Sequence, residues 1–275
     1  MKIDMHCHVK EGSPDSKVSL DEYITILKAN GFEGMLITDH DTYKGYRYWK
    51  NKMKGKSHED FVVLKGIEYD TCDAGHIIVI MPEGVKMRLL ELKGLPVSVL
   101  IDFVHRHGGV LGPAHPCGEK YMSFTNTKRC YKNPEIIKRF DFIEVFNACE
   151  SMESNEKAAK LAYKYQKVGI GGSDAHRPNC VSMAYTDLPE RVTCETELIS
   201  LIRKKVPLEV GGMLYNKTTK EKLGKANKIL VYSFWIYNKT GGLIKRSKRK
   251  RKSMLENPID PIDPIEMEYL ANYKR

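Results

Sequence analysis

The sequence predicts an α/β fold whose strands run mostly parallel and whose chemistry sits at their carboxyl ends. Two observations carry this. Short apolar runs alternate with helical patterns of 10–15 residues, the rhythm of βαβ units. In addition, His, Asp and Glu recur where those runs end: at Met5–His8, Thr38–His40, Glu68, Ala114-His115, Glu144 and Ser173–His176. Residues charged only for solubility would favour helix faces. At strand ends, where loops converge and vary, they mark a site.

In chain order, Met1–His8 (MKIDMHCH) reads as a strand. Residues two apart on a strand share a face, so His6 and His8 project together and Cys7 points away into packing. Val9–Val18 is a polar loop with a turn at Ser13-Pro14-Asp15-Ser16. Ser19 and Glu22 form a capping box for a helix over about 20–30, which Gly31 closes. Its residues Leu20, Tyr23, Ile24 and Leu27 make one apolar stripe. Glu33–Thr38 is a buried strand ending in Asp39-His40-Asp41, followed by a helix from Thr42 that packs through Tyr46 and Trp49. Phe61–Tyr69 and the apolar run His76–Met81 are strands. Pro96 opens a helix that Gly108-Gly109 ends. Val110–Ala114 and Phe140–Phe146 are further strands. Ser154 caps a helix to about Lys167, and Val168–Gly172 is a strand leading into Ser173–His176. A helix over Glu195–Lys204 and a strand over Val206–Val210 close the pattern.

The strand ends assemble His6, His8, His40, His76, His115 and His176 with Asp39, Glu68, Asp174 and Asp15. The other three histidines have plainer readings. His58 lies in a polar loop, and His105 and His107 sit at a helix C-terminus, where imidazole interacts with the dipole. A zinc ion takes about four ligands. The cluster is too rich for one and contains no cysteine, so it suits two or three divalent ions, with Zn, Mn and Fe all compatible by ligand type. Neighbouring ions that share a water and neutralise phosphoryl oxygens serve phosphate ester hydrolysis best.

These residues resemble the PHP (polymerase and histidinol phosphatase) domain of metal-dependent phosphoesterases. The matching pieces are DMHCH at 4–8, ITDHD at 37–41, GIEYD at 66–70 with His76 shortly after, AHP at 114–116, FIEVFN at 142–147 and GSDAH at 172–176. They stand in family order over about residues 1–215. The resemblance implies a distorted (β/α)7 TIM-like barrel with three metals at the carboxyl strand ends. It implies His6, His8, Glu68 and Asp174 at one metal, Glu68, His76 and His115 at a second, and Asp15, His40 and His176 at a third. Asp15 stands one residue later than the family spacing, and Glu11 competes for its place. The expected catalytic groups are Glu68, which would bridge two ions, with Asp174 and His176. Asp39 would orient His40 or cap the next helix. Glu144 and Asn147 stand at the height for supporting or substrate contacts. Arg177 either pairs with a substrate phosphate or is a surface residue at the turn before Pro178.

The family's substrates include histidinol phosphate, nucleotides, and oligonucleotides trimmed from a 5′ end. The expectation is therefore a hydrolase of phosphate esters: a small phosphomonoester, a nucleotide, or a 5′-phosphorylated oligonucleotide cut by 5′–3′ exonuclease action. His115 stands only 39 positions after His76, which leaves little room for a nucleotide-capping subdomain. The alternative is a catalytically weak module of the same fold that binds nucleic acid through its tail.

The formal net charge of +10 divides unevenly. Residues 216–275 carry 15 Lys/Arg against 6 Asp/Glu, whereas residues 1–215 carry 30 against 29. A basic total is thus no sign that the body binds nucleic acid. Lys245–Lys252 (KRSKRKRK) followed by a Pro-Ile-Asp repeat reads as a basic, disordered extension, one able to touch nucleic acid or an anionic surface weakly. No apolar run is long enough to span a membrane; the longest late one is Ile229–Tyr237. Seven cysteines without paired short spacings do not form a disulfide framework and suit a reducing cytoplasm.

Overall fold

The computed structural model describes residues 1–85, 87–119 and 122–215. The chain divides into two units, one of residues 1–85 and 94–214 and one of 86–93 with 215–275. Within the second, a short 3-10 turn spans Arg88–Glu91. The basic run, the Pro-Ile-Asp repeat and the apolar stretch at 229–237 lie outside the described residues.

The first unit is mixed α/β. Its strands are β1 (Lys2–Cys7), β2 (Gly34–Ile37), β3 (Val62–Asp70), β4 (His76–Ile80), β5 (Val110–Pro113), β6 (Phe142–Asn147), β7 (Val168–Gly172), β8 (Ala184–Asp187) and β9 (Glu209–Gly212). Its helices are α1 (Leu20–Ala29), α2 (Lys44–Tyr48), α3 (Val97–Arg106), α4 (Lys128–Lys132), α5 (Met152–Tyr165) and α6 (Glu195–Arg203). Seven strands form a curled sheet in the order β5-β4-β3-β2-β1-β8-β9, and β6 and β7 pair separately. The pair bridges the curl. Asp141 N donates to Leu111 O beside β5, and Asp174 N donates to His6 O on β1.

The expected parallel pairing holds for β1, β2 and β3 and for β6 with β7, while β8 runs antiparallel to β1 and β9. It fails for β4, which runs antiparallel to both β3 and β5. The five-residue link from β3 to β4 is too short for the crossover a parallel pair needs, so the chain must reverse. The strand at Ala184–Asp187 escapes sequence reading, and the last strand starts at Glu209 rather than Val206. Both are four-residue segments with few apolar residues to mark them, and β9 is the edge of the sheet.

One apolar face of every strand from β1 to β7 meets in a single cluster: Ile3, Met5, Leu36, Leu64, Ile78, Ile80, Val110, Phe142, Val168 and Ile170, joined by Leu198, Ile199, Leu201 and Ile202 of α6. The opposite face of β1 and β2 packs Cys7, Met35 and Ile37 on Leu20, Tyr23, Ile24 and Leu27, the stripe expected of α1. Ser19 caps α1 as expected, accepting from Glu22 N at 3.3 Å. Helix α5 is capped by Ser151, three residues before the Ser154 that sequence favoured. Helix α2 is only five residues long and passes into a π-helical turn over Trp49–Met53.

Candidate metal centre

Along the strands that carry site residues, the inner face changes character from apolar to ionisable. On β3 the inward positions run Leu64, Gly66, Glu68. On β6 they run Phe142, Glu144. On β4, read backwards because the strand is antiparallel, they run Ile80, Ile78, His76. His76 begins its strand, yet the reversal carries it to the rim where the parallel strands end.

On β1, strict alternation from Ile3 and Met5 would turn His6 and His8 outward with Asp4. A register irregularity between Asp4 and Cys7 resets the phase. Met5 and His6 then both face inward, Cys7 packs outward, and His8 returns to the interior. The Asp4 carboxylate supports the irregularity. Its Oδ1 accepts from His6 N at 3.2 Å and Ser173 N at 2.9 Å, and its Oδ2 accepts from the Tyr23 hydroxyl at 3.1 Å. Burial raises its pKa to about 6. Sequence reasoning missed this role for Asp4, because strict alternation puts it on the face of His6 and only the irregularity turns it to Tyr23 of α1.

Glu68 is the hub, 1% exposed. Its Oε1 lies 2.7 Å from His76 Nδ1 and 3.1 Å from His115 Nε2. Its Oε2 lies 2.9 Å from His40 Nδ1, 3.3 Å from His8 Nε2 and 3.4 Å from His6 Nε2. Asp174 Oδ1 is 3.2 Å from His8 Nε2, 3.6 Å from His6 Nε2 and 3.7 Å from His176 Nδ1. Asp15 Oδ2 stands 3.4 Å from His176 Nε2 and 3.5 Å from His40 Nε2. Glu11 is turned away, accepting from Leu20 N at the start of α1. All nine residues expected as ligands therefore converge. His115 and Asp174 hold positive φ angles of 31° and 50°, backbone strain that the surrounding structure must impose.

Two carboxylates fix the rings from behind. Glu144 Oε1 lies 2.8 Å from His6 Nδ1, while its Oε2 accepts from His115 N and from Asn147 Nδ2. Asn147 Nδ2 also donates to Asp174 Oδ2 at 3.2 Å. Asn147 is buried, with its amide engaged beneath two carboxylates rather than turned toward a substrate. Asp39 makes no hydrogen bond to the His40 ring among the described residues. It accepts at Oδ1 from Ser13 Oγ and Val9 N, both at 2.9 Å, and its Oδ2 is buried against Gly45 at the start of α2. Because the Ser13 hydroxyl donates to Asp39, its lone pairs are left for His8 Nδ1 at 3.2 Å and His40 N at 3.3 Å. Asp39 thus orients His8 through a hydroxyl that sequence placed only in a turn. Arg177 is exposed next to His176.

Both relays put the ring proton on Nδ1 and leave Nε2 as a donor atom pointing inward. Buried atoms without a well-formed hydrogen bond include His6 Nε2, His8 Nε2, His76 Nδ1 and Glu68 Oε2. Buried polar atoms are ordinarily satisfied, and an all-N/O set aimed at common points fits divalent cations. Three groups place their candidate ligand atoms within 4.8 Å of one another: His8, His40 and His176; His6, His8 and Glu68; His40, Glu68 and His76. The electrostatics agree. Burial opposes charge on His6, but Glu144, Asp174 and Glu68 outweigh it and hold its pKa well above the ordinary value. Burial likewise opposes ionisation of Glu68, yet His76, His40 and His6 hold it well below the usual carboxylate range. Burial, with His176 and His40 nearby, lowers His8. The carboxylates are stabilised as anions by positive charge that a cation can supply in place of protons.

The three remaining histidines sit apart, as expected. His105 faces Asp141 at 2.9 Å, His58 faces Asp21 at 2.9 Å, and His107 Nδ1 lies 2.8 Å from Phe103 O. All seven cysteines are free, and among the described residues no helix is long and apolar enough to cross a membrane.

Residues 152–207 match the profile of the PHP-associated family. The search of curated proteins finds no match. Among solved structures, the chain is similar to PsfC from Pseudomonas syringae, with 14% identity, a TM-score of 0.57, and coverage of 85% of this chain and 98% of that one. It is similar to a protein described as a metal-dependent phosphoesterase from Bifidobacterium adolescentis, with 17% identity, a TM-score of 0.52, and coverage of 73% and 96%. It is also similar to the lesion-specific endonuclease Q of Pyrococcus furiosus, with 16% identity and a TM-score of 0.55, where it covers 82% of this chain and 61% of the endonuclease. At these identities the likeness is one of fold. The matched segment is that of a PHP-associated profile, and the fold is shared with these proteins.

Proposed function

We propose that the protein is a hydrolase that cleaves phosphate esters with divalent metal ions held by His6, His8, Asp15, His40, Glu68, His76, His115, Asp174 and His176. The observation that carries this reading is the convergence of buried, unsatisfied imidazole and carboxylate atoms on Glu68. Neighbours bearing the names phosphoesterase and endonuclease support the same reaction class. The fold reading that accompanies it is a distorted (β/α)7 barrel, in which β6 and β7 close the gap between β5 and β1.

Two or three ions of Zn, Mn or Fe, when bound, would neutralise phosphoryl oxygens and bring the pKa of a water toward neutral. The chain's own residues prepare the place. Glu144 and the Asp39–Ser13 relay hold His6 and His8 with Nε2 inward, so no tautomer change is needed on loading. Asn147 fixes one Asp174 oxygen and leaves the other facing His6 and His8. Glu68 offers one oxygen to each side of the cluster, the arrangement a bridging carboxylate requires. A water beside the half-buried His176 would protonate the leaving oxygen, and the exposed Arg177 would give a phosphate a guanidinium. The substrates this suits are a small phosphomonoester, a nucleotide, or an oligonucleotide trimmed 5′–3′. Seven free cysteines suit a reducing cytoplasm.

The test is a substrate panel of p-nitrophenyl phosphate, histidinol phosphate, 3′,5′-bisphosphonucleotides and short 5′-phosphorylated oligonucleotides, with Zn, Mn and Fe in turn. Glu68→Gln should abolish turnover of every ester the wild type cleaves. An unchanged rate in that variant refutes the mechanism.

A further inference from the structure

The near-neutral total of residues 1–215 hides a segregated charge. Residues 44–56 hold six basic side chains and no acidic one, while the other 202 residues of that span carry five more acidic than basic groups. Lys44, Arg47, Lys50, Lys52, Lys54 and Lys56 are all exposed. The five lysines make no ion pair or hydrogen bond through their side chains among the described residues.

This stretch is anchored. Gly45 packs so closely on Asp39 that an added Cβ would lie 2.1 Å from Oδ2. Trp49 and Met53, 5% and 7% exposed, are buried with Phe61 and Val63 in the outer core. With these inward, the π-helical turn over Trp49–Met53 presents Lys50 and Lys52 to solvent, and Lys54 directly after it is exposed as well. The face begins four residues after His40, at the rim of the metal centre. Tyr48 is 40% exposed among the lysines and offers a ring for stacking.

We propose that this face binds the phosphate backbone of a single-stranded polynucleotide and leads it toward the metal centre. The proposal deepens the phosphoesterase reading and rests on it for the fate of the bound strand. A basic groove with an aromatic platform is what sequence-independent strand binding uses. An anionic membrane is the poorer partner. An interfacial helix inserts its large apolar side chains, and here Trp49 and Met53 are already committed to the protein's own core.

The experiment uses the full chain in three forms: wild type, Lys50→Gln/Lys52→Gln/Lys54→Gln, and a variant with the seven basic residues of 245–252 changed to Gln. Fluorescence anisotropy with a labelled 5′-phosphorylated DNA of about 12 nucleotides, in chelator, reads binding across a salt series. Manganese-supported hydrolysis of p-nitrophenyl phosphate reads the centre alone. The triple variant should bind at least ~10-fold more weakly, with the slope of log K against log salt reduced by about 2, at roughly 0.7 per lysine. Its p-nitrophenyl phosphate rate should equal wild type. Wild-type affinity and slope in the triple variant overturn the proposal, as does loss of binding to phosphatidylserine vesicles with DNA binding intact. If the wild type hydrolyses no ester, the reading of the centre fails. Loss of salt-dependent DNA binding in the triple variant would still uphold the face.

Discussion

Replacing Glu144 with Gln tests how the histidines are held. The carboxylate, 1% exposed, faces donors at both oxygens: His6 Nδ1–H at Oε1, and the His115 and Asn147 N–H groups at Oε2. Glutamine has one acceptor oxygen and one NH2 group. If the NH2 turns to His6, that ring must accept at Nδ1 and carry its proton on Nε2, the atom meant for a cation. If it turns to His115, two donors face each other out of water, which costs about 1–3 kcal/mol. Loss of a carboxylate behind a metal-binding histidine typically lowers affinity 10–100-fold, or roughly 1.4–2.7 kcal/mol. Zinc titration of E144Q against a competing chromophoric chelator should show that loss, and thermal denaturation of both forms in chelator should show a lowered Tm for the variant. Unchanged affinity would refute the claim that Glu144 sets the His6 tautomer.

Four further outcomes follow from the same geometry. Ser13→Ala should weaken metal binding while Ser13→Thr restores it, and the 15N shifts of His8 should report a changed tautomer only in the alanine variant. A Cβ at Gly172 would lie 2.4 Å from His6 N, so Gly172→Ala should destabilise the fold by about 1–3 kcal/mol in urea denaturation. Burial raises the pKa of Glu195 above its ordinary 4.5, so the folded state binds the proton more tightly than the unfolded chain. Its stabilising contribution is therefore present at low pH and lost as pH rises through the folded pKa. The gap in Tm between Glu195→Gln and wild type should widen in the variant's favour from acid to neutral pH; a gap that narrows refutes the burial argument. Divalent metal at about 100 times its Kd should stabilise the protein by about 2.7 kcal/mol, seen as a Tm rise that chelator reverses.

Much of the centre was legible because its chemistry is local. Ligand type, the two-residue spacing of His6 and His8, and the placement of His40, Glu68, His115 and Asp174 near apolar runs are all written in the chain. So is the capping of α1 by Ser19. What escaped was decided by contacts between distant segments. Sequence favours Asp15 and leaves Glu11 in competition, and only the fold sets one against His40 and His176 and the other at the α1 terminus. Ser13 looks like a turn residue until Asp39 lies behind it and His8 before it.

By itself, then, the sequence determined the alternation of elements, the identity of the donors and the class of chemistry they suit. The direction of β4 and the phase of β1 came from tertiary structure alone. Periodicity says which residues share a face, never which way that face turns. The short β3–β4 link reverses His76 to the common rim, and Asp4, bonded to His6 N, Ser173 N and Tyr23, holds the irregularity that turns His6 and His8 inward.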